Sequence, residues 1–132
     1  MCVTPTRQCY INWYNMAEKK ISWVKVAESL SEISWQPNDM CIIPAGGKMI
    51  TLARHKGSLY AFAQKCPHAG GIMADGFLDA MGNVVCPIHR YKFSVENGRS
   101  INGEGYYLKT YLVKTEDAGV YIGFEKTTFF NF

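Results

Sequence analysis

The sequence predicts an all-β domain built as an antiparallel sandwich or barrel. Short segments rich in β-branched and aromatic residues recur along the chain, and turns containing glycine or proline separate them. Only residues 27–34 suggest a helical turn, whose role would be to connect strands. The chain has 132 residues, of which 48% are hydrophobic. That size and composition predict one domain with a single core.

The predicted strands fall into two groups. Base strands come from both ends of the chain, and shorter strands lie between them. The predicted segments are 23–26, 39–43, 48–54, 58–62, 76–79, 84–85, 91–94, 108–115 and 120–124. Turns at 44–47, 55–57 and 116–119 join neighbouring base strands as hairpins. These segments alone predict no more than an antiparallel sandwich or barrel.

Two cysteines and two histidines form a pair of short motifs among the shorter predicted strands. Cys66-x-His68 comes first, and Cys86-x-x-His89 follows on the far side of residues 69–85. Two thiolates and two imidazoles are what a [2Fe–2S] cluster needs when one iron binds two Cys and the other binds two His. A proline after each Cys fixes φ near −65°, which suits a rigid loop. The motifs predict one [2Fe–2S] site with these four residues as its iron ligands.

A structural zinc site is the alternative use of the same four side chains. Zinc binds two Cys and two His tetrahedrally, and such a site would make the chain a zinc-stapled β domain with a binding role. Structural zinc sites usually pair Cys with Cys and His with His at short spacing. Here each short pair mixes one Cys with one His, which favours the iron–sulfur cluster.

With these motifs at this separation, the chain resembles the Rieske family from about Trp23 to Phe124. The resemblance implies the Rieske iron–sulfur fold, an antiparallel base of strands from both chain ends with residues 64–103 inserted as a small cluster-binding subdomain. It also implies a one-electron carrier similar to the small soluble Rieske ferredoxins of oxygenase systems, serving a reductase and a terminal oxygenase. The alternative is a Rieske subunit of a larger redox enzyme, such as a nitrite reductase small subunit. With four protein ligands the cluster has no open position, so we expect no catalytic residues and no small-molecule substrate.

The resemblance also carries an expectation for the reduction potential. High-potential family members have an extra pair of cysteines in the two loops, where this chain has Gly71 and Ile88. They also have a Ser and a Tyr that donate hydrogen bonds to the cluster, where this chain has Tyr91 and Phe93. Fewer donors predict a potential near the lower end of the Rieske range of about −150 to +300 mV. Arg90 is a further departure, because many members have Gly directly after the second His.

Composition excludes several other classes of function. The net charge of +3 and the lack of a Lys/Arg-rich run give no sign of nucleic-acid binding. No window approaches the ~20 apolar residues that a membrane span needs, and no signal pattern begins the chain. The cysteines outside the motifs, Cys2, Cys9 and Cys41, show no disulfide spacing. We therefore expect a soluble, cytoplasmic protein in a reducing compartment.

The sequence also predicts where the domain begins and ends, and where the third histidine lies. Residues 1–20 form an N-terminal extension, which is either an ordered arm or the product of a start codon chosen upstream in error. We expect a poorly ordered tail there, and a single domain over 21–132. His55 lies in a predicted hairpin turn and is expected to be a surface histidine rather than a further ligand.

Overall fold

The computed structural model describes residues 18–67, 70–88, 90–101 and 105–128. Strands dominate this part of the chain, which confirms the predicted all-β class. In chain order they are β1 (Glu18–Ala27), β2 (Met40–Ala45), β3 (Lys48–His55), β4 (Ser58–Ala63), β5 (Phe77–Leu78), β6 (Asn83–Val85), β7 (Lys92–Ser94), β8 (Thr110–Glu116) and β9 (Gly119–Thr128). Two single 3-10 turns cover Leu30–Glu32 and Met73–Asp75.

The base is a six-stranded antiparallel sheet in the order β1-β9-β8-β4-β3-β2. Strands from the two chain ends therefore pair with each other, as the sequence predicts. The β2–β3 hairpin turns at Gly46 and Gly47, whose φ values of +57° and +80° are those that a type I′ turn requires. The predicted turn at 44–47 is thus explained by two glycines in the left-handed region.

The inserted unit is a three-stranded antiparallel sheet in the order β5-β6-β7. It occupies the chain between β4 and β8, which confirms the predicted insertion. Single bridges join Phe93 to Ser100 and Arg99 to Tyr107, so they add a further paired segment beside β7. The sequence shows residues 99–107 only as irregular, because single bridges leave no alternating pattern of apolar residues.

The buried side chains form two apolar clusters that use opposite faces of the base. One cluster includes Leu52 and Ala61 and fills the base itself. The other includes Ala53 and Phe62 and lies between the base and the inserted unit, where it also contains Phe93. Adjacent residues of β3 and β4 thus enter different clusters, because successive side chains of a strand point to opposite faces. The inserted unit is fixed to the base by a shared core.

The ends of the domain extend further than the sequence predicts. β1 begins at Glu18, which pairs with Thr128 at the end of β9. Residues 18–20 of the predicted extension therefore lie in a strand, and residues 1–17 lie outside the described residues. The predicted helical turn over 27–34 is reduced to Leu30–Glu32. Among the described residues, no helix is long and apolar enough to cross a membrane.

Candidate functional site

The first motif lies in a tight loop, residues 66–71, which we call loop 1. The backbone N–H of Cys66 donates a hydrogen bond to the Gly71 carbonyl at 2.8 Å. The N–H of Gly70 donates to the Cys66 carbonyl at 2.9 Å. These two bonds close the loop on Cys66, and the bridge between Lys65 and Ile72 continues the pairing outward. Cys66 therefore sits where a two-stranded ribbon opens into its turn.

The second motif lies in residues 86–91, loop 2, which has the same hydrogen-bond pattern. The N–H of Cys86 donates to the Tyr91 carbonyl at 2.8 Å, and the N–H of Arg90 donates to the Cys86 carbonyl at 3.0 Å. Cys86 directly follows β6, so the small sheet sets its direction. The two cysteines thus occupy equivalent positions in two matching loops.

The match extends to a backbone conformation that L-residues rarely adopt. The fourth residue after each Cys is left-handed, with φ of +74° at Gly70 and +59° at Arg90. Glycine adopts this conformation without steric penalty, whereas for a residue with a side chain it costs about 1–2 kcal/mol of stability. Arg90 stands where many members of the resembled family have glycine. The loop geometry therefore favours glycine at the very position where this sequence departs from the family.

The two loops lie against each other. A methyl group added at Gly71 in loop 1 would lie 2.6 Å from Cγ1 of Ile88 and 3.1 Å from Sγ of Cys86, both in loop 2. Only a residue without a side chain allows this approach. Gly71 and Ile88 are the positions matched to the extra cysteine pair of high-potential proteins, and the structure places these two positions in contact.

Both motif cysteines have almost no exposure to solvent. Cys66 is 3% exposed and Cys86 is 0% exposed, and both belong to the apolar cluster between base and inserted unit. Soft thiolates at a boundary between two loops suit iron–sulfur ligation, and burial shields them from water. His68 and His89 lie outside the described residues, so their placement stays a prediction. In the part of the chain that is described, no three His, Cys, Asp or Glu side chains form a metal-binding group.

Two polar side chains in the segment before β2 donate hydrogen bonds to the chain that follows loop 1. Sequence analysis does not identify them. Nδ2 of Asn38 donates to the carbonyl oxygens of Ala74 at 2.8 Å and Gly76 at 2.9 Å. Nε2 of Gln36 donates to the same Ala74 carbonyl at 2.9 Å. These bonds satisfy buried backbone oxygens and tie the inserted unit to the segment before β2. Their only sequence signal is a pair of amide side chains in a loop.

The β5–β6 turn, which leads the chain to Cys86, is organised by Asp79. One carboxylate oxygen accepts hydrogen bonds from the backbone N–H groups of Met81 at 2.9 Å and Asn83 at 3.0 Å. The other accepts from Nδ2 of Asn83 at 3.2 Å and lies 3.7 Å from Nζ of Lys92. Burial acts to raise the pKa of Asp79, but these hydrogen bonds and the Lys92 charge outweigh it, so the pKa lies below its usual value.

His55 lies at the end of β3, where its ring packs beside the same turn. A methyl group at Gly82 would lie 3.5 Å from the His55 ring. His55 also lines a cleft of about 1200 Å³ together with Trp35 and Phe77. Neither Cys66 nor Cys86 lines that cleft, so the cleft is separate from the motif cysteines.

Comparison with known sequences gives a family match over most of the chain. The model for the Rieske [2Fe-2S] domain matches residues 22–111. The ferredoxin component of the alkene monooxygenase system of Xanthobacter autotrophicus is 32% identical over 87 residues, covering 66% of this chain and 71% of that protein. The 3-phenylpropionate/cinnamic acid dioxygenase ferredoxin subunit of Photorhabdus laumondii is 30% identical over 74 residues, covering 55% and 70%.

Comparison with solved structures gives the same fold. The ferredoxin of carbazole 1,9a-dioxygenase from Nocardioides aromaticivorans has a TM-score of 0.66 and 22% identity, covering 76% of this chain and 96% of that one. A Mycobacterium tuberculosis protein described as an NADH-dependent nitrite reductase small subunit has a TM-score of 0.65 and 20% identity, covering 79% and 96%. A match to a complex of reduced oxygenase and oxidized ferredoxin in carbazole 1,9a-dioxygenase has a TM-score of 0.64 and 24% identity, covering 76% and 91%. At these identities the likeness shows the fold alone.

Proposed function

This chain belongs to the Rieske [2Fe–2S] family, and from that premise we propose that Cys66, His68, Cys86 and His89 hold its cluster and that an oxygenase receives its electrons. Its cofactor is a Rieske-type [2Fe–2S] cluster, and its role is that of an electron carrier rather than an enzyme. A cluster of this type, once bound, supplies one-electron transfer. The remaining chemistry belongs to the side chains that surround it.

The equivalence of Cys66 and Cys86 in the two matching loops carries the ligand assignment. Each cysteine lies at the base of a loop closed by the same pair of backbone hydrogen bonds. His68 and His89 follow these cysteines by two and three residues within the same loops. A pair of loops that each supply one thiolate and one imidazole matches the two-Cys, two-His ligand set of a Rieske centre.

The side chains around the cysteines favour a low reduction potential. Phe93 is fully buried and has no polar atom, so it offers no hydrogen bond to a sulfur atom. Gly71 and Ile88 provide neither a disulfide nor a hydroxyl group. Because hydrogen bonds to the sulfurs raise the potential, we expect a midpoint potential near the lower end of the range of about −150 to +300 mV. A midpoint above about +100 mV at neutral pH would contradict this part of the proposal.

The partner assignment follows from the relatives, which are ferredoxin components of a monooxygenase system and a dioxygenase. We propose a reductase as the electron donor and a terminal oxygenase as the acceptor. The second candidate is the small subunit of a nitrite reductase, which the fold match to such a protein supports. A carrier has small, transient interfaces and purifies alone, whereas a subunit purifies with its enzyme. Cys41 forms no disulfide among the described residues, which fits the proposed cytoplasmic location.

Substitution of the proposed ligands tests the site directly. Cys66→Ser, His68→Ala, Cys86→Ser and His89→Ala are each expected to abolish the visible absorption of the cluster and its bound iron, because each removes an iron ligand. His55→Ala is the matched control, since it removes the remaining histidine of the chain. Absorption spectra and iron content measured on all five proteins give the answer. A native spectrum in His68→Ala or His89→Ala, or a bleached His55→Ala protein, would show that the assignment is wrong.

A further inference from the structure

Each of the two loops has an exposed cation in it or directly before it, and no Asp or Glu in its own sequence. Lys65 directly precedes loop 1 and Arg90 lies in loop 2, and both side chains are exposed. Neither forms an ion pair in the described part of the chain, whereas Lys92 lies 3.7 Å from Asp79. Residues 64–74 and 84–95 contain no Asp or Glu at all. The two loops therefore present a local excess of positive charge.

The same two loops also expose apolar side chains. Pro67, Pro87 and Ile88 are exposed, and Ile88 is 53% exposed although it packs against Gly71 and belongs to a tightly closed loop. Exposed apolar groups rimmed by polar residues are typical of protein–protein contacts. We call the five residues Lys65, Pro67, Pro87, Ile88 and Arg90 the loop rim.

The backbone of Arg90 is left-handed, a conformation that the turn residues Asp39 and Lys56 share, so the conformation alone assigns no role to its side chain. Its φ of +59° matches the +74° of Gly70 at the equivalent position of loop 1, where glycine occurs. A side chain in this conformation is unfavourable for folding, so the arginine is not there to satisfy the loop geometry. The retained guanidinium group points to a role outside the fold, since it has no ion-pair partner among the described residues.

We propose that the loop rim docks on an acidic face of the protein that accepts the electron, with Ile88 inserted into an apolar depression that carboxylates surround. This proposal rests on the proposed function, because the same loops are proposed to hold the cluster. Opposite charges around an apolar centre increase the rate of encounter and orient the two proteins. The charge of the loop rim, rather than the net charge of +3, then sets the rate of electron transfer to an anionic acceptor.

Small oxidants of opposite charge serve as probes of the loop rim. The dithionite-reduced protein is mixed in a stopped-flow instrument with ferricyanide, an anion, or with hexaammineruthenium(III), a cation. In low salt, Arg90→Glu and Lys65→Glu are each expected to slow oxidation by ferricyanide about fivefold or more and to speed oxidation by the ruthenium complex. In about 0.5 M salt both effects are expected to shrink to less than about twofold, because salt screens exposed charges.

Lys56→Glu is the matched control for Arg90→Glu. Lys56 is also exposed and also left-handed, with φ of +50°, and it lies in the β3–β4 turn at the end of β4 away from loop 1. The substitution changes the net charge equally, so less than about a twofold change in either rate is expected. Equal effects of Lys56→Glu and Arg90→Glu would overturn the proposal, because net charge would then explain the rates.

The remaining outcomes separate this proposal from the proposed function. A wild-type protein without an iron–sulfur spectrum refutes the proposed function, and it also removes the docking proposal that rests on it. If the iron–sulfur spectrum is normal but Lys65→Glu and Arg90→Glu leave both oxidation rates unchanged, only the docking proposal is refuted. Should Arg90→Glu fail to load its cluster, Arg90→Gly removes the charge while relieving the left-handed conformation, and Lys65→Glu tests the other loop. Arg90→Gly is expected to slow ferricyanide oxidation about twofold or more in low salt.

Discussion

The apposition of the two loops predicts that a single methyl group at Gly71 will be poorly tolerated. In Gly71→Ala the new carbon would lie 2.6 Å from Cγ1 of Ile88 and 3.1 Å from Sγ of Cys86. Ordinary contacts between such atoms are about 3.5–4.0 Å, so Ile88 must move by roughly 1 Å and Cys86 by roughly 0.5 Å. Gly71 does not have a positive φ, so the effect comes from crowding alone. We expect Gly71→Ala to lower the free energy of unfolding by about 1–3 kcal/mol.

A double-mutant cycle measures this crowding. Ile88→Ala removes the nearer of the two clashing groups, so the variant carrying both substitutions is expected to regain about half of the lost stability or more. Gly70→Ala is the control, because a methyl group there meets no atom within 4 Å and only the φ of +74° is unfavourable. Ile88→Ala should therefore leave the effect of Gly70→Ala unchanged. Thermal unfolding at a fixed scan rate, together with iron content, gives the comparison.

The crowding argument fails if Gly71→Ala unfolds at the wild-type temperature with a full complement of iron. It also fails if Ile88→Ala gives no recovery, because the two loops would then not be in contact at these residues. At roughly 4 °C per kcal/mol for a domain of this size, the expected shift is well above measurement error.

Three further substitutions test other parts of the structure. Arg90→Gly is expected to raise stability by a net ~0.5–1 kcal/mol in thermal unfolding, and a lower midpoint would show that φ of +59° is not strained. Gly98→Ala should destabilise the fold by roughly 2–4 kcal/mol, because its methyl group would collide with the Leu108 carbonyl and residue 98 has a φ of +79°. An unchanged unfolding midpoint would contradict that contact. Asp79→Asn should lower stability most at neutral pH. The depressed pKa of Asp79 stabilises the fold above its unfolded value of about 3.9, and this contribution is lost as pH falls through the lower folded pKa. Urea unfolding of the wild-type protein and Asp79→Asn at pH 7 and pH 3 measures this contribution. An equal difference in the free energy of unfolding between the two proteins at both pH values would refute it.

The features that sequence predicts well are those encoded by short patterns. The Cys66 and Cys86 motifs and the hairpin turns follow from local spacing, and the unit inserted between β4 and β8 follows from the resemblance that those motifs carry. The family model confirms the Rieske assignment that those motifs support. Residues a few positions apart determine each of these features, so one sequence is enough to find them.

The features that sequence misses depend on residues far apart in the chain. Asn38 reaches carbonyl groups 36 and 38 residues away, and nothing near it in the sequence indicates that contact. The pairing of Glu18 with Thr128 extends β1 and β9 beyond the apolar pattern, because each strand satisfies the backbone of the other. The left-handed Arg90 is likewise hidden, since arginine does not itself indicate a positive φ.

Electron paramagnetic resonance of the purified protein, before and after reduction with dithionite, tests the proposed cluster most directly when iron, sulfide and zinc are assayed on the same sample. A Rieske centre held by Cys66, His68, Cys86 and His89 is expected to be silent when oxidised and to give a low-average-g signal when reduced. The sample should then hold two irons and two sulfides for each chain, as a [2Fe–2S] cluster requires. A colourless protein with one zinc and no sulfide would contradict the cluster, the carrier function and the docking proposal together.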